Sequence, residues 1–148
     1  MKWFVAACVA GLVHAAFSAY WALGGTWLLD TVGALADELR GMGAGTLLLT
    51  IGTVALVKAA GAVVPLLVER GRFPRLRRPV RALSWAGGAL LVVYGGVNTV
   101  VAGAVLLGWI STDEPVDRAS MLGHALLWDP LFALWGALLL VGLAVTRR

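Results

Sequence analysis

Lys58 lies in the middle of an apolar run, Gly43 to Val68. Three further apolar runs carry interior polar groups: His14, Asn98 and Asp129. An amine, an imidazole, an amide and a carboxylate can move a proton, bind an ion or pair with one another. At membrane depth an ionisable group is costly unless it has a partner, a water-filled cavity or a function. The pattern therefore locates a site without specifying its reaction. Acid–base work on a lipid-soluble substrate would draw on His14 or Asp129. An ion pair would join Lys58 to Asp129, because a lysine side chain points back toward its helix N-terminus and its long stem can close a gap of several ångströms. Binding in a shared cavity would add Tyr20, Tyr94 and Trp128 as lining residues and would suit an apolar ligand with one polar end.

The elements that must position these groups are membrane helices. Of 148 residues, 60% are hydrophobic and 14% charged, against about 25% charged in a soluble domain. Crossing a bilayer takes roughly 20 mostly apolar residues as a helix. Four segments qualify, at about residues 3–27, 44–68, 82–110 and 121–146. Each is too long and continuous for an outer-membrane strand of about 10 alternating residues. The expected fold is an all-α integral membrane protein, a four-transmembrane-helix bundle forming one membrane domain over residues 1–148. No internal repeat stands out. Lys2 before an apolar stretch resembles a signal peptide, and Ala16-Phe17-Ser18 could pass as a cleavage site. The apolar run continues to Leu29, however, which favours a retained first helix.

Charge sets the expected orientation. Six arginines crowd the short connection 69–81, Lys2 is near one end of the chain, and Arg147 and Arg148 are at the other. In a four-helix topology all three basic clusters fall on one side. The remaining connections carry Asp30, Asp37, Glu38, Asp113, Glu114 and Asp117 against Arg40 and Arg118. Lys and Arg accumulate on the cytoplasmic side, so both termini are expected in the cytoplasm. The same bias accounts for the basic loop. Clustered arginine can also meet anionic head groups, but nothing supports nucleic-acid recognition.

Other features narrow the chemistry. Cys8 stands alone, so an internal disulfide or a CxxC metal site is excluded. His14 and His124 are too few and too far apart in depth to define a metal or haem site; no metal or cofactor is expected. Ten of the twelve basic residues are arginine, yet the one inside the membrane is Lys58; lysine can lose its proton when buried and arginine effectively cannot. Small residues on helix three (Ser84, Gly88, Gly95, Thr99, Ala102) and helix two (Gly52, Ala55, Ala59, Ala62) would let backbones approach, either inside one bundle or at a homodimer seam. Trp3, Trp21, Trp27 and Trp109 fall near helix ends as interfacial anchors. Asp129-Pro130 has two readings. It could be an N-cap with a first-turn proline, putting Asp129 at the outer surface. Alternatively, Pro130 could kink helix four and free the Leu126 carbonyl.

His14, the run Tyr20-Trp21-Ala22-Leu23-Gly24-Gly25, and Trp128-Asp129-Pro130-Leu131-Phe132 in the last helix resemble the family called domain of unknown function 3995. The resemblance implies a small four-helix bacterial membrane protein, located in the cytoplasmic membrane. It carries no activity to transfer, and places His14, Tyr20, Trp21, Trp128 and Asp129 in its recognisable motifs. Three functions stay open: binding or carrying a small amphipathic or lipidic ligand at His14, Tyr20, Lys58, Tyr94, Asn98, Trp128 and Asp129; a membrane enzyme using His14 or Asp129; and an accessory subunit without chemistry. The bilayer is the one partner common to all three.

Overall fold

The computed structural model describes residues 1–111 and 115–146. Asp113, Glu114, Arg147 and Arg148, which entered the charge argument, lie outside the described residues. Among the described residues six α-helices occur in chain order: α1 (Lys2–Ala22), α2 (Ala34–Gly41), α3 (Ala44–Glu69), α4 (Arg77–Leu106), α5 (Arg118–Gly123) and α6 (Asp129–Val145). A π-turn, His124–Trp128, joins α5 to α6 without a break. Four helical stretches are long and apolar enough to cross a membrane: α1, α3, Pro74–Leu106 and Arg118–Val145. Among the described residues no strand occurs.

The observed ends have local causes. The apolar run of the first helix was expected to reach residue 27, but α1 stops at Ala22. Gly24 takes φ +88°, a left-handed conformation that favours glycine. Its N–H bonds the Trp21 carbonyl while the Gly25 N–H bonds the Tyr20 carbonyl, so two otherwise orphaned carbonyls are satisfied at the turn. α3 and α4 end with the same bond pattern at Gly71 and Gly108. After α1 and α4 the apolar residues continue past these points, so hydrogen bonding decided the ends there; after α3 the polar residues Glu69 and Arg70 mark the end as well. The sequence reading did not anticipate α2. This short helix buries Ala36 and Leu39 against Trp21, Leu29 and Trp128 at one end of the bundle.

The four long stretches do not pack in sequence order. α1 lies against α3 and α6, and α4 lies mainly against α6. α3 and α4, neighbours in the chain, touch sparsely. α1 and α6 therefore form the centre, and a groove remains between α3 and α4. Leu49, Leu56 and Val57 of α3 and Leu83, Leu90, Val93, Val97 and Val100 of α4 remain exposed. Such faces are a liability in water and an ordinary contact in hydrocarbon.

The small residues of α4 are used inside the chain. Ser84, Gly88, Gly95 and Ala102 are buried. A Cβ at Gly95 would sit 2.4 Å from the Asp129 carbonyl oxygen, and one at Gly136 would sit 2.6 Å from the Gly88 carbonyl oxygen. Backbone thus meets backbone along the α4–α6 seam. On the other side, the Trp135 ring is wedged toward α1, where a Cβ at Gly11 would fall 2.6 Å from it and 2.7 Å from the Ala62 Cβ.

Candidate functional site

The polar groups expected to converge on one site divide into two. On α3, Lys58 is about 21 Å along the helix from Ala44 and about 17 Å from Glu69, at 1.5 Å per residue. Its Nζ lies 3.2 Å from His14 Nδ1 and donates to Ser18 Oγ at 2.9 Å. It also stands 5.4 Å from the centre of the Phe132 ring. His14 and Ser18 are one turn apart on α1, so both face α3. The Ser18 hydroxyl reaches back to the His14 carbonyl at 3.5 Å. The His14 ring lies 3.8 Å from Phe132 and 5.8 Å from Trp128, centre to centre. His14 is buried, and its Nε2 has no hydrogen-bond partner among the described residues.

Asp129 belongs to the second group. The expected Lys58–Asp129 ion pair is not formed. Asp129 is 1% exposed, and its Oδ2 accepts from His124 Nδ1 at 2.7 Å. The N-cap reading is also overturned, because Asp129 is helical and the helix runs through it from Arg118 to Val145. The reason lies in the π-turn. Residues five apart on an α-helix point about 140° from one another at 3.6 residues per turn, so His124 and Asp129 would diverge. A π-turn, with its i→i+5 bonding, brings them to one face. Pro130 supplies the local cause: it has no N–H for the Leu126 carbonyl, and its ring crowds that carbonyl. Sequence reasoning recognised Pro130 as a kink signal and passed over His124. The missed signal was a histidine five residues before an aspartate that precedes a proline.

The remaining predicted residues are dispersed. Trp128 is buried, donates through Nε1 to Thr31 Oγ1 at 2.9 Å, and packs edge-on against Phe17 and Trp21. It closes the aromatic end of the bundle above His14. Tyr20 is exposed at the end of α1, where its hydroxyl accepts from the Trp27 N–H at 3.3 Å; it holds the turn after α1 and lines no cavity with Lys58. Tyr94 is half exposed and meets the Phe132 ring edge-on at 5.9 Å. Asn98 is half-buried on α4, and its side chain makes no hydrogen bond among the described residues.

Two charge clusters mark the ends of the bundle. Glu69, 6% exposed, accepts from Arg81 at 2.7 Å. Arg81 also donates to Thr146 Oγ1 at 2.9 Å and to the Leu143 carbonyl at 2.8 Å. α3, α4 and the last turn of α6 are thereby tied together, and Arg81 satisfies a carbonyl left open where α6 ends. Met1, Phe4, Glu69, Arg77, Val145 and Thr146 border one hollow, so the chain's N-terminus, the arginine-rich connection and the end of α6 share one side. At the opposite side Arg40 pairs with Asp30, and with Asp37 at 3.2 Å. The hydrogen bond that Arg40 donates to Asp30 is the main cause that raises the Arg40 pKa.

Lys58 also borders a cavity, while its amine is held by His14 and Ser18 of α1. About 490 Å³ of space between α3 and α4 is lined by apolar side chains from both helices, with Phe132, Trp135 and Leu139 of α6 as its floor and Lys58 as its one ionisable residue. A second apolar hollow, about 580 Å³ between α1 and α3, has no ionisable lining residue; it offers shape without charge. No group of three or more His, Cys, Asp or Glu side chains able to hold a metal occurs among the described residues.

A bundle of four long apolar helices with outward apolar faces and one amine in an interior groove has the character of a polytopic membrane protein. The chain belongs to the family described as protein of unknown function (DUF3995), which matches residues 11–139. No curated protein and no solved structure matches it.

Proposed function

We propose that this protein binds an amphiphile with an acidic head group in the groove between α3 and α4, within a bilayer whose cytoplasmic side holds the arginine-rich connection and both termini. A bacterial cytoplasmic membrane is the setting that the positive-inside bias and the family resemblance favour. The observation that carries the reading is Lys58. Lys58 lies in the middle of a spanning helix and borders an apolar groove, and the partners of its amine among the described residues are a histidine, a hydroxyl and an aromatic ring. Among the described residues no carboxylate lies within ion-pair distance of it, while Asp129 is engaged by His124. A cation at that depth gains most from an anionic partner. An amphiphile offers one while its tail covers the apolar walls, a combination typical of small-molecule sites.

Photo-crosslinking tests the proposal. Purified protein in lipid nanodiscs would be irradiated with a long-chain fatty acid carrying a diazirine on its tail. Labelling should concentrate on groove residues such as Val64, Leu83 and Leu90 and fall at least about tenfold in Lys58→Met. Filling the groove with Gly87→Trp should reduce labelling while Lys58 stays in place. Uniform labelling of every lipid-facing helix, unchanged in Lys58→Met, would overturn the reading.

A further inference from the structure

The arginine-rich connection divides into two kinds of arginine. Arg81 and Arg77 both point to Glu69, at 2.7 Å and 3.6 Å, and Glu69 is the one acidic residue in 69–81. Arg70, Arg72, Arg75 and Arg78 are exposed, and none has an ion-pair partner among the described residues. Four guanidinium groups are therefore left without compensation on one short segment. Orientation in the membrane accounts for the presence of positive charge. It does not account for what stands between the charges. Phe73 and Leu76 are 47% and 49% exposed. With Arg72, Pro74 and Arg75 they line a cleft of about 560 Å³. The short 3₁₀ turn Pro74–Leu76 holds this arrangement immediately before α4, at the level where the spanning helices end.

We infer that this cleft is a docking site for the phosphodiester head group of an anionic phospholipid. Arginine's planar fork matches phosphate oxygens two at a time. The exposed Phe73 and Leu76 are placed to enter the acyl boundary beside a bound head group, as apolar residues between basic ones do at interfaces. A free solute phosphate would use the guanidinium groups and leave the apolar pair idle. A soluble nucleic acid or acidic protein would do the same, and would have to reach a cleft at the level of the membrane surface. The lipid uses both features. The site is independent of the Lys58 groove, which lies in the hydrocarbon span.

Native mass spectrometry of the intact protein, released from nanodiscs of equal parts phosphatidylglycerol and phosphatidylcholine, provides the test. The protein should retain phosphatidylglycerol in preference. At roughly fivefold per basic residue at an anionic surface, Arg72→Gln with Arg75→Gln should reduce that retention by at least about tenfold. Phe73→Ser with Leu76→Ser should reduce it by a smaller factor, and Arg72→Lys with Arg75→Lys should recover part of what glutamine loses. The factor by which the double glutamine substitution lowers retention should be the same in a Lys58→Met background, which separates failure here from failure of the groove reading. Equal retention of the two lipids by the unaltered protein, or undiminished preference in the double glutamine variant with unchanged thermal unfolding, would overturn the inference.

Discussion

Lys58 and Arg81 are both half-buried basic residues among long helices, and they are used in opposite ways. Arg81, at one end of the bundle, has a carboxylate, a hydroxyl and a backbone carbonyl on its guanidinium. Its charge is compensated within the chain, and it joins three helices. Lys58, in mid-span, has an imidazole and a hydroxyl as partners and borders a groove. A compensated buried charge serves assembly, because removing either partner strands the other. A charge without a carboxylate partner is costly at that depth, and the proposed ligand would compensate it.

The largest effect that could break this contrast is expected at the clasp. Arg81→Met leaves the buried Glu69 carboxylate with only Arg77 at 3.6 Å and the Leu143 carbonyl with only the Thr146 hydroxyl at 3.5 Å, and should lower stability by about 3 kcal/mol. A loss below about 1 kcal/mol in thermal unfolding would place Arg81 with ordinary surface pairs. His124→Ala comes next, since it strands the Asp129 carboxylate; a loss of about 1.5–3 kcal/mol is expected, with partial recovery in the His124→Ala, Asp129→Leu double variant. The effects of Asp129→Leu and Lys58→Met on stability should instead add to within about 0.5 kcal/mol, because neither residue is the other's partner; strong mutual rescue would restore the ion pair that the structure lacks. Gly95→Ala sets a Cβ against the α6 backbone and should lower stability by about 1–3 kcal/mol, whereas Gly96→Ala, with open space at that position, should change it little. The smallest effect sharpens the comparison most. Lys58→Met should leave stability unchanged or raise it, as replacement of a poorly compensated buried charge by an apolar side chain often does. A fall as large as that of Arg81→Met would make Lys58 a structural residue too.

Much of the architecture was legible. Four apolar stretches appear close to where hydropathy placed them, and Lys2 and the 69–81 connection lie on one side as the loop charges implied. The small residues of α4 proved to be a seam with α6. The site was half legible. His14 and Lys58 were recognised and do meet, while Asp129 was assigned the wrong partner. Heights along helices were estimated by residue counting, which says at what depth a side chain lies and nothing of which way it points. Tyr20 was placed in the cavity on depth alone and instead holds a turn. Glu69 was passed over because it sat among arginines at the end of a span, where a carboxylate is unremarkable until its burial is known.

The sequence by itself determined how many helices are long and apolar enough to cross a membrane, which loops share a side, and which polar groups lie at depth. These follow from local quantities: transfer free energy summed along a segment, and charge counted in a connection. Tertiary structure alone decided that α3 and α4 part to leave a groove, that His14 and Ser18 meet Lys58, and that Asp129 turns to His124. Each of these depends on rotation about a helix axis. Close backbone contacts at Gly95 and Gly136, the wedge of Trp135 beside Gly11, and the π-turn before Pro130 fix that rotation together, and no single segment contains the information to do so.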